Sequence, residues 1–380
     1  MQLHTSYKKN IFVFFSFGVS LNVWDKKKIL DREVEHYKKL QKNDFNLSFV
    51  TYGDQSDLKY QKRLENIKII PIFKKLKKNF ITKYLIIFFA PYILKSELKR
   101  CDIIKTHQVS GGMLAVICAI LNKKKIIIRA GWEPTKNPKK WGISFVKYVL
   151  LTINSFISYK FSNKIITTSM ELKKFIKKRY FVKNKKIIVI PNSLDVKKFK
   201  KFNKRKIENK VINISRLEKQ KNLFELLNIC KLANLNLDII GEGSQLNELK
   251  RYAHEIKINV RFLGQINNDK LPKILSKYIF YLSASKIEGS PKTIMEAMSV
   301  ELPIFGLKAD GLNSLIRNHK SGYLAADSNK LATKIKQLKK NNSILGKMGK
   351  NARMYVYKNF SLQKNIISEK KIFKDVLNEK

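Results

Sequence analysis

The stretch KIEGSPKTIMEAM, residues 286–298, contains two glutamates whose spacing could hold a ligand. Glu288 stands just before a Gly-Ser-Pro turn, and Glu296 lies two turns into the amphipathic segment that follows. Ser290 is a good N-cap and Pro291 suits the first helical position, so we expect a helix to begin there. The two carboxylates should therefore reach opposite ends of one elongated ligand.

The start of this helix is a predicted anion site. The backbone N–H groups of Lys292 and Thr293 lie at the positive end of the helix dipole, where proteins bind phosphate. Gly289 lets the backbone approach a ligand closely. A diphosphate with hydroxyl groups at both ends, as in a nucleotide sugar, fits this pattern. The alternative is two solvated carboxylates beside an ordinary helix cap.

Two other stretches supply groups for the same chemistry. Arg216 ends the predicted strand VINISR, and Lys221 follows five residues later, near the start of the next helix. Two cations there could neutralise a diphosphate leaving group as its charge develops. Gly241 and Gly243, in DIIGEGSQ, lie in a strand-to-helix turn predicted to face the same cleft. Alone, these glycines indicate only a tight turn.

The elements that must position these residues alternate regularly along the chain. Short apolar runs, from IFVFFSF at residue 11 to GYLA at residue 322, are separated by longer amphipathic segments. Continuous apolar strands alternating with helices indicate parallel sheets covered on both faces. We predict an α/β fold of two Rossmann-like, doubly wound parallel-sheet domains facing across a cleft.

The domain boundaries follow a change in composition. A lysine-rich stretch of low hydrophobicity, DVKKFKKFNKRKIENK, interrupts the alternation and is predicted to be a linker. The prediction therefore consists of three parts in chain order: an N-terminal acceptor-binding domain over 1–194, a linker over 195–210 and a C-terminal nucleotide-sugar-binding domain over 211–358.

The charge of the chain is extreme. Lysine and arginine number 78 against 29 acidic residues, a net charge of +49 among 380 residues. Lysine is abundant together with Ile and Asn, the residues that A/T-rich codons specify, so part of this charge is compositional. Such a field still attracts phosphates, nucleic acid and anionic membranes. The three cysteines, Cys101, Cys118 and Cys230, have no metal-ligand spacing and suit buried thiols in a reducing cytosol.

Two apolar stretches raise the question of a membrane. The run IFVFFSFGVSLNV, from residue 11, lacks a cleavage site after it and is predicted to be the first buried strand, not a signal peptide. The segment 80–94 is interrupted by Pro91 and is shorter than the ~20 apolar residues that a spanning helix needs. With basic residues on both sides, it either lies on an anionic membrane surface or forms a core helix.

Acceptor recognition is expected in the first half, where the signals are weaker. Gly18, a candidate donor-binding residue, ends the first strand, and the loop after it would overhang the cleft. Trp24 could stack on a sugar, although a core position is equally consistent. Arg129 and Glu133, at a strand end, could bind acceptor hydroxyls or pair with each other. His107 could be catalytic or simply buried. The candidates are Asn22, Trp24, Asp25, His107, Arg129 and Glu133.

Over residues 187–325 the sequence resembles the family 4 retaining glycosyltransferases of GT-B fold. The matching motifs, in order, are PNSLD, SRLEKQKNL, IIGEGSQLNEL, VRFLG, EGSPKTIMEAM and the DG…SGYL close. The first half resembles the family only in outline, through IFVFFSFG with Gly18. The final segment, 359–380, looks like the family's last helix, which returns to the first domain.

The resemblance assigns roles to the candidate residues. It implies that Glu296 binds ribose, that Arg216 and Lys221 bind the diphosphate, and that Glu288 contacts the donor sugar or phosphate region. It also implies transfer with retention of configuration and without a metal ion or cofactor, which agrees with the absence of an Asp-x-Asp pair in the sequence. Three positions depart from the family pattern: Ser215, Glu301 and Ser314.

The expected activity is hexosyl transfer from a nucleotide sugar to a glycan or lipid-linked acceptor during cell-surface polysaccharide biosynthesis. We expect a cytoplasmic enzyme, peripheral on the inner face of the plasma membrane. A nucleotide-sugar epimerase of the same fold remains an alternative. A basic nucleic-acid-binding protein is another, but only the charge favours it, since no surface of interleaved aromatics and arginines is evident. We therefore predict no specific nucleic-acid partner.

Overall fold

The computed structural model describes residues 8–42, 44–74, 80–138, 142–203, 206–286, 288 and 291–379, with the side chains of 80–84 and 87 left aside. The chain divides into two compact units. The first comprises Met1–Pro191 and Asn365–Lys380, and the second comprises Asn192–Lys364.

The described residues of the first unit form a seven-stranded parallel sheet in the order β3-β2-β1-β4-β5-β6-β7. Its strands are short and apolar, as the sequence predicts for strands buried on both faces. They are β1 (Lys9–Phe14), β2 (Phe45–Thr51), β3 (Lys68–Pro71), β4 (Ile103–Thr106), β5 (Lys125–Ala130), β6 (Lys164–Thr167) and β7 (Ile187–Val189). The order reverses between β1 and β4, which is the position where doubly wound sheets bind ligands.

The helices of the first unit cover both faces of this sheet. They are α1 (Leu21–Lys26), α2 (Leu30–Gln41), α3 (Gln61–Leu64), α4 (Phe80–Ile93), α5 (Lys95–Lys99), α6 (Gly112–Leu121), α7 (Phe145–Phe161) and α8 (Met170–Arg179). The loop expected after Gly18 contains the short helix α1. The Ser20 side chain caps this helix, accepting a hydrogen bond from the Val23 N–H at 3.3 Å.

The last helix of the chain, α16 (Leu362–Asn378), belongs mainly to the first unit. Its apolar side packs on the sheet, and Phe373 meets Phe45 of β2 edge to face with 5.3 Å between ring centroids. A buried charge also fixes it, since Glu369 forms an ion pair with Lys105 of β4. Both of these side chains are almost fully buried.

The second unit contains a six-stranded parallel sheet in the order β10-β9-β8-β11-β12-β13 among the described residues. This order reverses between β8 and β11. The strands are β8 (Lys210–Ile214), β9 (Asn236–Ile240), β10 (Val260–Phe262), β11 (Tyr281–Ser283), β12 (Ile304–Leu307) and β13 (Gly322–Ala325). The helices are α9 (Leu223–Ala233), α10 (Leu246–Glu255), α11 (Leu271–Leu275), α12 (Lys292–Ser299), α13 (Leu312–Leu315), α14 (Ser328–Leu338) and α15 (Asn342–Phe360).

The stretch predicted as a linker, 195–210, falls in the second unit, because the division lies between Pro191 and Asn192. Its composition is polar, but Phe199 is buried in the core of the second unit beside Leu194. The residues before β8 therefore pack on the second unit. A single buried aromatic among many lysines is easily overlooked in an average over composition.

The three cysteines are buried free thiols, as their sequence contexts predict. Burial raises the pKa of the Cys101 thiol to about 12, which keeps this sulfur protonated and unreactive at neutral pH. In the described part of the chain, no helix is both long enough and apolar enough to cross a membrane.

Candidate active site

The candidate site of the second unit lies at the carboxyl edge of its sheet, where the strand order reverses. The loops after β8 and β9 are joined by backbone hydrogen bonds, Ser215 N–H to Ile240 O and Leu217 N–H to Glu242 O, both 3.0 Å. The loop after β11 joins the same group, because the Lys286 N–H donates to Gln220 O at 3.1 Å. The fold thus brings together three stretches that are far apart in sequence.

Gly241 is required at its position for two reasons. Its φ is +137°, a conformation that residues with side chains rarely adopt, and a Cβ there would lie 1.9 Å from the carbonyl oxygen of Ser215. Gly243 likewise leaves no room for a Cβ, which would lie 2.4 Å from Leu217 O. The predicted strand-to-helix turn therefore allows the backbone before and after Arg216 to pack directly against it.

Lys221 and Glu288 meet in an ion pair. The Lys221 ammonium donates to Glu288 Oε1 at 2.5 Å, and both side chains are largely buried, with 16% and 12% of their areas exposed. Arg216, by contrast, is exposed at the end of β8. The structure thus groups one paired cation, one exposed cation and one carboxylate at a single sheet edge.

The helix that follows begins one residue later than predicted. Pro291 occupies the N-cap position of α12, not its first helical position, because its ψ of 100° is extended. Gly289 and Ser290 lie outside the described residues. The first-turn amide of Thr293 has no acceptor within its own helix, and its side chain hydrogen-bonds the Tyr281 hydroxyl beneath the site. The amide of Lys292 belongs to the same turn.

Glu296 is fully buried on α12. Its Oε1 accepts a hydrogen bond from Asn268 Nδ2 at 2.8 Å. The carboxylate is therefore engaged by a donor from the segment between β10 and α11. A ligand hydroxyl that donates to Glu296 Oε1 would compete with Asn268 for this oxygen.

Several polar residues of this edge were missed by the sequence analysis. Asn268 contacts Glu296 directly, and the Asp310 carbonyl accepts from the Glu288 N–H at 3.3 Å. Gln220 and Gln245 each bury a side-chain carbonyl oxygen that has no hydrogen-bond partner among the described residues. Their position in the sequence could have identified them as candidates, since each of these residues follows a strand of the second unit.

The three departures from the family pattern have distinct local settings. Glu301 has a φ of +61°, the left-handed region that favours glycine, and its carboxylate pairs with Lys201 at 2.9 Å. The Ser215 hydroxyl donates to Asn213 Oδ1 at 2.6 Å. Ser314 is exposed on α13 and donates to Gly311 O. None of the three displaces Arg216, Lys221 or Glu288.

In the first unit, Gly18 lies in the turn after β1 with a φ of +73°. Asn22 follows at the start of α1, where its backbone N–H donates to Asp57 Oδ1 and its side chain accepts from the Tyr60 hydroxyl. Asp25 pairs with Arg63 at 2.7 Å. These residues stand at the carboxyl edge of the first sheet, close to its reversal point, as predicted.

Trp24 belongs to the core of the first unit and does not offer a face to a sugar. It is 3% exposed and stacks on Phe15 with 4.2 Å between ring centroids. His107, after β4, packs 4.8 Å from the Trp24 ring and shares a hydrogen bond of 2.9 Å with the Tyr37 hydroxyl through Nδ1. The aromatic cluster thus explains Trp24 by packing, while His107 remains half-buried.

Glu133 is also an interior residue. It is 2% exposed, and its carboxylate accepts hydrogen bonds from Thr135, Ser155 and Tyr159. Burial raises the pKa of this carboxyl, although the surrounding hydroxyls oppose the shift. The prediction that Glu133 meets acceptor hydroxyls conflicts with this burial. Arg129 is half-buried in β5, and its N–H donates to the Thr106 hydroxyl.

No group of three or more His, Cys, Asp or Glu side chains within the described ranges is arranged to hold a metal ion. The groups that this edge of the second unit offers to a ligand are cations, first-turn backbone amides and carboxylates. Such a set binds a diphosphate flanked by hydroxyl groups.

Two family models match the chain. Residues 195–355 match the model described as "Glycosyl transferases group 1", and residues 34–198 match "Glycosyltransferase Family 4". An Escherichia coli relative, UDP-Gal:alpha-D-GlcNAc-diphosphoundecaprenol alpha-1,3-galactosyltransferase, is 28% identical over 310 residues, which are 75% of this chain and 78% of the relative.

Solved structures share the fold. Anabaena HepE, crystallised with UDP and glucose, has a TM-score of 0.76 at 14% identity over 97% of this chain and 100% of its own. A Staphylococcus aureus TarM variant, crystallised with UDP, alpha-GlcNAc-glycerol and Fondaparinux, has a TM-score of 0.74 at 14% identity over 98% and 100%. The predicted GT-B fold class is confirmed.

Proposed function

We propose that this chain, a member of the group 1, family 4 glycosyltransferases, transfers a hexose from a nucleotide sugar to a glycan or lipid-linked acceptor. In the proposed reaction the anomeric configuration of the sugar is retained and no metal ion takes part. The observation that carries the proposal is the Lys221–Glu288 ion pair, which lies with the exposed Arg216 at the sheet edge where the second unit reverses its strand order. A diphosphate is the ligand whose charge and size match two cations beside a helix N-terminus.

In this proposal Arg216 and Lys221 bind the donor diphosphate together with the first-turn amides of α12, from Lys292 and Thr293. When the bond between the sugar C1 and the β-phosphate oxygen breaks, negative charge grows on the diphosphate, and the two cations stabilise it. The acceptor oxygen bonds to C1, and its proton passes to the leaving phosphate on the same face of the sugar.

Glu288 has a double role in the proposed site. Its ion pair with Lys221 holds the ammonium in place before the donor binds. The same carboxylate stands outside the helix and contacts the donor sugar or phosphate region. Gly241 and Gly243 keep the neighbouring turn close enough to the loop of Arg216 for one ligand to touch both.

The ribose is assigned to Glu296. In the ligand-free chain Asn268 Nδ2 donates to this carboxylate, and we propose that a ribose hydroxyl takes its place as donor. UDP is the proposed nucleotide, because the E. coli relative is named for UDP-Gal and both crystallised neighbours contain UDP. No further cofactor is proposed.

The acceptor is assigned to the first unit, with Asn22, His107 and Arg129 as the remaining candidates from its sheet edge. Gly18 is proposed as a donor-binding residue. The E. coli relative is named for a diphosphoundecaprenol acceptor, a lipid-linked sugar. We propose a similar acceptor class in cell-surface polysaccharide biosynthesis and a peripheral position on the cytoplasmic face of the membrane.

A thermal-shift panel with UDP, GDP, ADP and their hexose conjugates tests the donor proposal. A ligand present at ~100-fold its dissociation constant adds ~2.7 kcal/mol to the free energy of unfolding, so the bound nucleotide should raise Tm clearly. UDP and a UDP-hexose should stabilise the chain, and Arg251→Lys, an exposed change on α10, should leave this response intact. A chain that no nucleotide stabilises would contradict the proposal.

A further inference from the structure

Helix α7 leaves many of its large apolar side chains open to solvent. An ordinary surface helix buries its apolar side. On α7 the apolar side is open instead: Phe145, Val146 and Leu150 are 79%, 69% and 62% exposed. The same side continues along the helix through further exposed apolar residues, Val149, Ile153, Phe156 and Phe161.

The inward side of α7 carries hydrogen-bonded polar groups beside the buried Tyr159 ring, which explains why the helix keeps this orientation. Asn154 Nδ2 donates to the Val109 carbonyl at 2.9 Å, and its Oδ1 accepts from the Met113 N–H at 3.1 Å. Ser158 packs where Gly112 of α6 leaves room, since a Cβ there would lie 2.0 Å from the serine hydroxyl. Rotating α7 to bury its apolar side would leave these polar groups without partners.

The neighbouring helices extend the apolar surface. Helices α4 and α7 both pack against α6, and all three lie on the same face of the first sheet. On α4, Phe88 and Tyr92 are 67% and 71% exposed. Exposed apolar patches larger than a few hundred Å² mark interaction sites on a soluble surface. We name the exposed apolar residues of α4 and α7 the apolar face.

The charged side chains on the helices of the apolar face have one sign, and Glu97 of the adjoining α5 pairs with Lys68 at 2.8 Å. The sequences of α4, α6 and α7 contain no Asp or Glu. Exposed cations stand on and around the helices: Lys95, Lys99, Lys123, Lys147 and Lys160. An apolar surface with lysines at its margin is complementary to a bilayer whose headgroups are anionic. A second copy of the chain fits poorly, because its own lysines would meet these and its net charge is also +49.

We propose that the apolar face docks on an anionic lipid bilayer, with Phe145 and Leu150 entering the headgroup region and the lysines contacting lipid phosphates. The proposal rests on the peripheral membrane position proposed above but not on sugar transfer. Vesicle binding is measured without any nucleotide or acceptor, so its outcome tests membrane docking independently of sugar transfer. The sequence analysis pointed to the segment 80–94 with its basic flanks, of which Lys75, Lys77 and Lys78 lie outside the described residues. Helix α7 adds a surface that the sequence analysis did not consider.

The test is co-sedimentation of the full chain with vesicles. Wild type should bind vesicles of phosphatidylcholine and phosphatidylglycerol in equal parts and should bind pure phosphatidylcholine vesicles much more weakly. Replacing both Phe145→Ser and Leu150→Ser should weaken binding to the anionic vesicles by at least about tenfold, because two apolar side chains no longer leave water on binding. The matched control is Met354→Ser with Tyr357→Ser, two similarly exposed residues on α15, and should bind as wild type.

Lys147→Gln with Lys160→Gln should also weaken binding to the anionic vesicles, and added salt should act in the same direction. Circular dichroism on every variant confirms that it is folded. Unchanged vesicle binding by the folded Phe145→Ser, Leu150→Ser variant would overturn the proposal. So would a wild-type oligomer that this variant converts to a monomer, because the apolar face would then bind a second copy.

Discussion

At the residue scale, Glu296 is the sharpest test of the donor site. We expect Glu296→Ala to weaken UDP-hexose binding by about 1.5–3 kcal/mol, because the ribose hydroxyls lose a charged acceptor. Isothermal titration of the folded variant measures this loss. Asn268→Ala is the matched control: it removes the competing donor to the same carboxylate and should leave affinity at or above the wild-type value. Wild-type affinity in Glu296→Ala would show that the ribose lies elsewhere.

The residue scale also shows what a sequence can predict about a site. Arg216, Lys221, Glu288 and the two glycines of the β9 turn stand where residue type and position after a strand led us to expect them. Trp24 and Glu133 have the same positional signal, but neighbouring rings and hydroxyls enclose them. Whether a polar or aromatic side chain after a strand faces solvent or core depends on residues distant in sequence. Composition and spacing contain no information on that choice.

At the element scale, the attachment of α16 depends on the Lys105–Glu369 ion pair. Burial acts to raise the pKa of Glu369, but Lys105 and His36 outweigh it and hold this pKa below its usual value. The His36 Nε2 lies 2.9 Å from Glu369 Oε2. A carboxyl with a depressed folded-state pKa stabilises the fold above its unfolded pKa of 4.5 and loses that contribution as the pH falls.

Glu369→Gln should therefore lower the free energy of unfolding at pH 7 by about 3–5 kcal/mol, because it leaves the buried Lys105 without its counterion. Chemical denaturation measures the loss. Glu65→Gln, which breaks an exposed pair with Lys38, should cost under about 1 kcal/mol. Wild type should also lose stability as the pH falls below 5, more steeply than Glu369→Gln does. If Glu369→Gln and Glu65→Gln lowered the free energy of unfolding equally, the structural role of the buried Lys105–Glu369 pair would be contradicted.

Most elements could be predicted from the sequence, since the strands are continuous apolar runs between amphipathic helices. The boundaries were less predictable. Helix α1 forms within the loop expected after Gly18, and α12 begins after Pro291, because caps and backbone angles set helix ends. The exposure of the apolar side of α7 was not predictable, since periodicity identifies two sides of a helix but not which one faces the sheet. That choice depends on hydrogen bonds to Val109 and Met113.

At the scale of the whole molecule, the net charge of +49 offers a second explanation for any binding of phosphate-containing ligands. A diffuse field attracts DNA, nucleotides and membranes alike, and two cations among 78 contribute little to it. A catalytic site behaves differently, because the same two cations act on charge that grows in the transition state. Measuring sugar transfer and DNA retention on the same variants therefore separates a specific site from general attraction.

The most direct test of the account is sugar transfer, measured as UDP release from a UDP-hexose with and without a lipid-linked acceptor, in Arg216→Lys and Lys221→Ala. Arg216→Lys keeps the charge but loses the planar fork, so it should lower kcat by about tenfold to a hundredfold and change the donor KM less. Lys221→Ala should act similarly, the double variant should show less than the product of the two effects, and DNA retention should be unchanged in all three. Arg251→Lys and Lys250→Ala, exposed residues of α10, should transfer sugar as wild type. Transfer that survives both substitutions while DNA retention collapses would contradict the assignment of a glycosyltransferase site to this sheet edge.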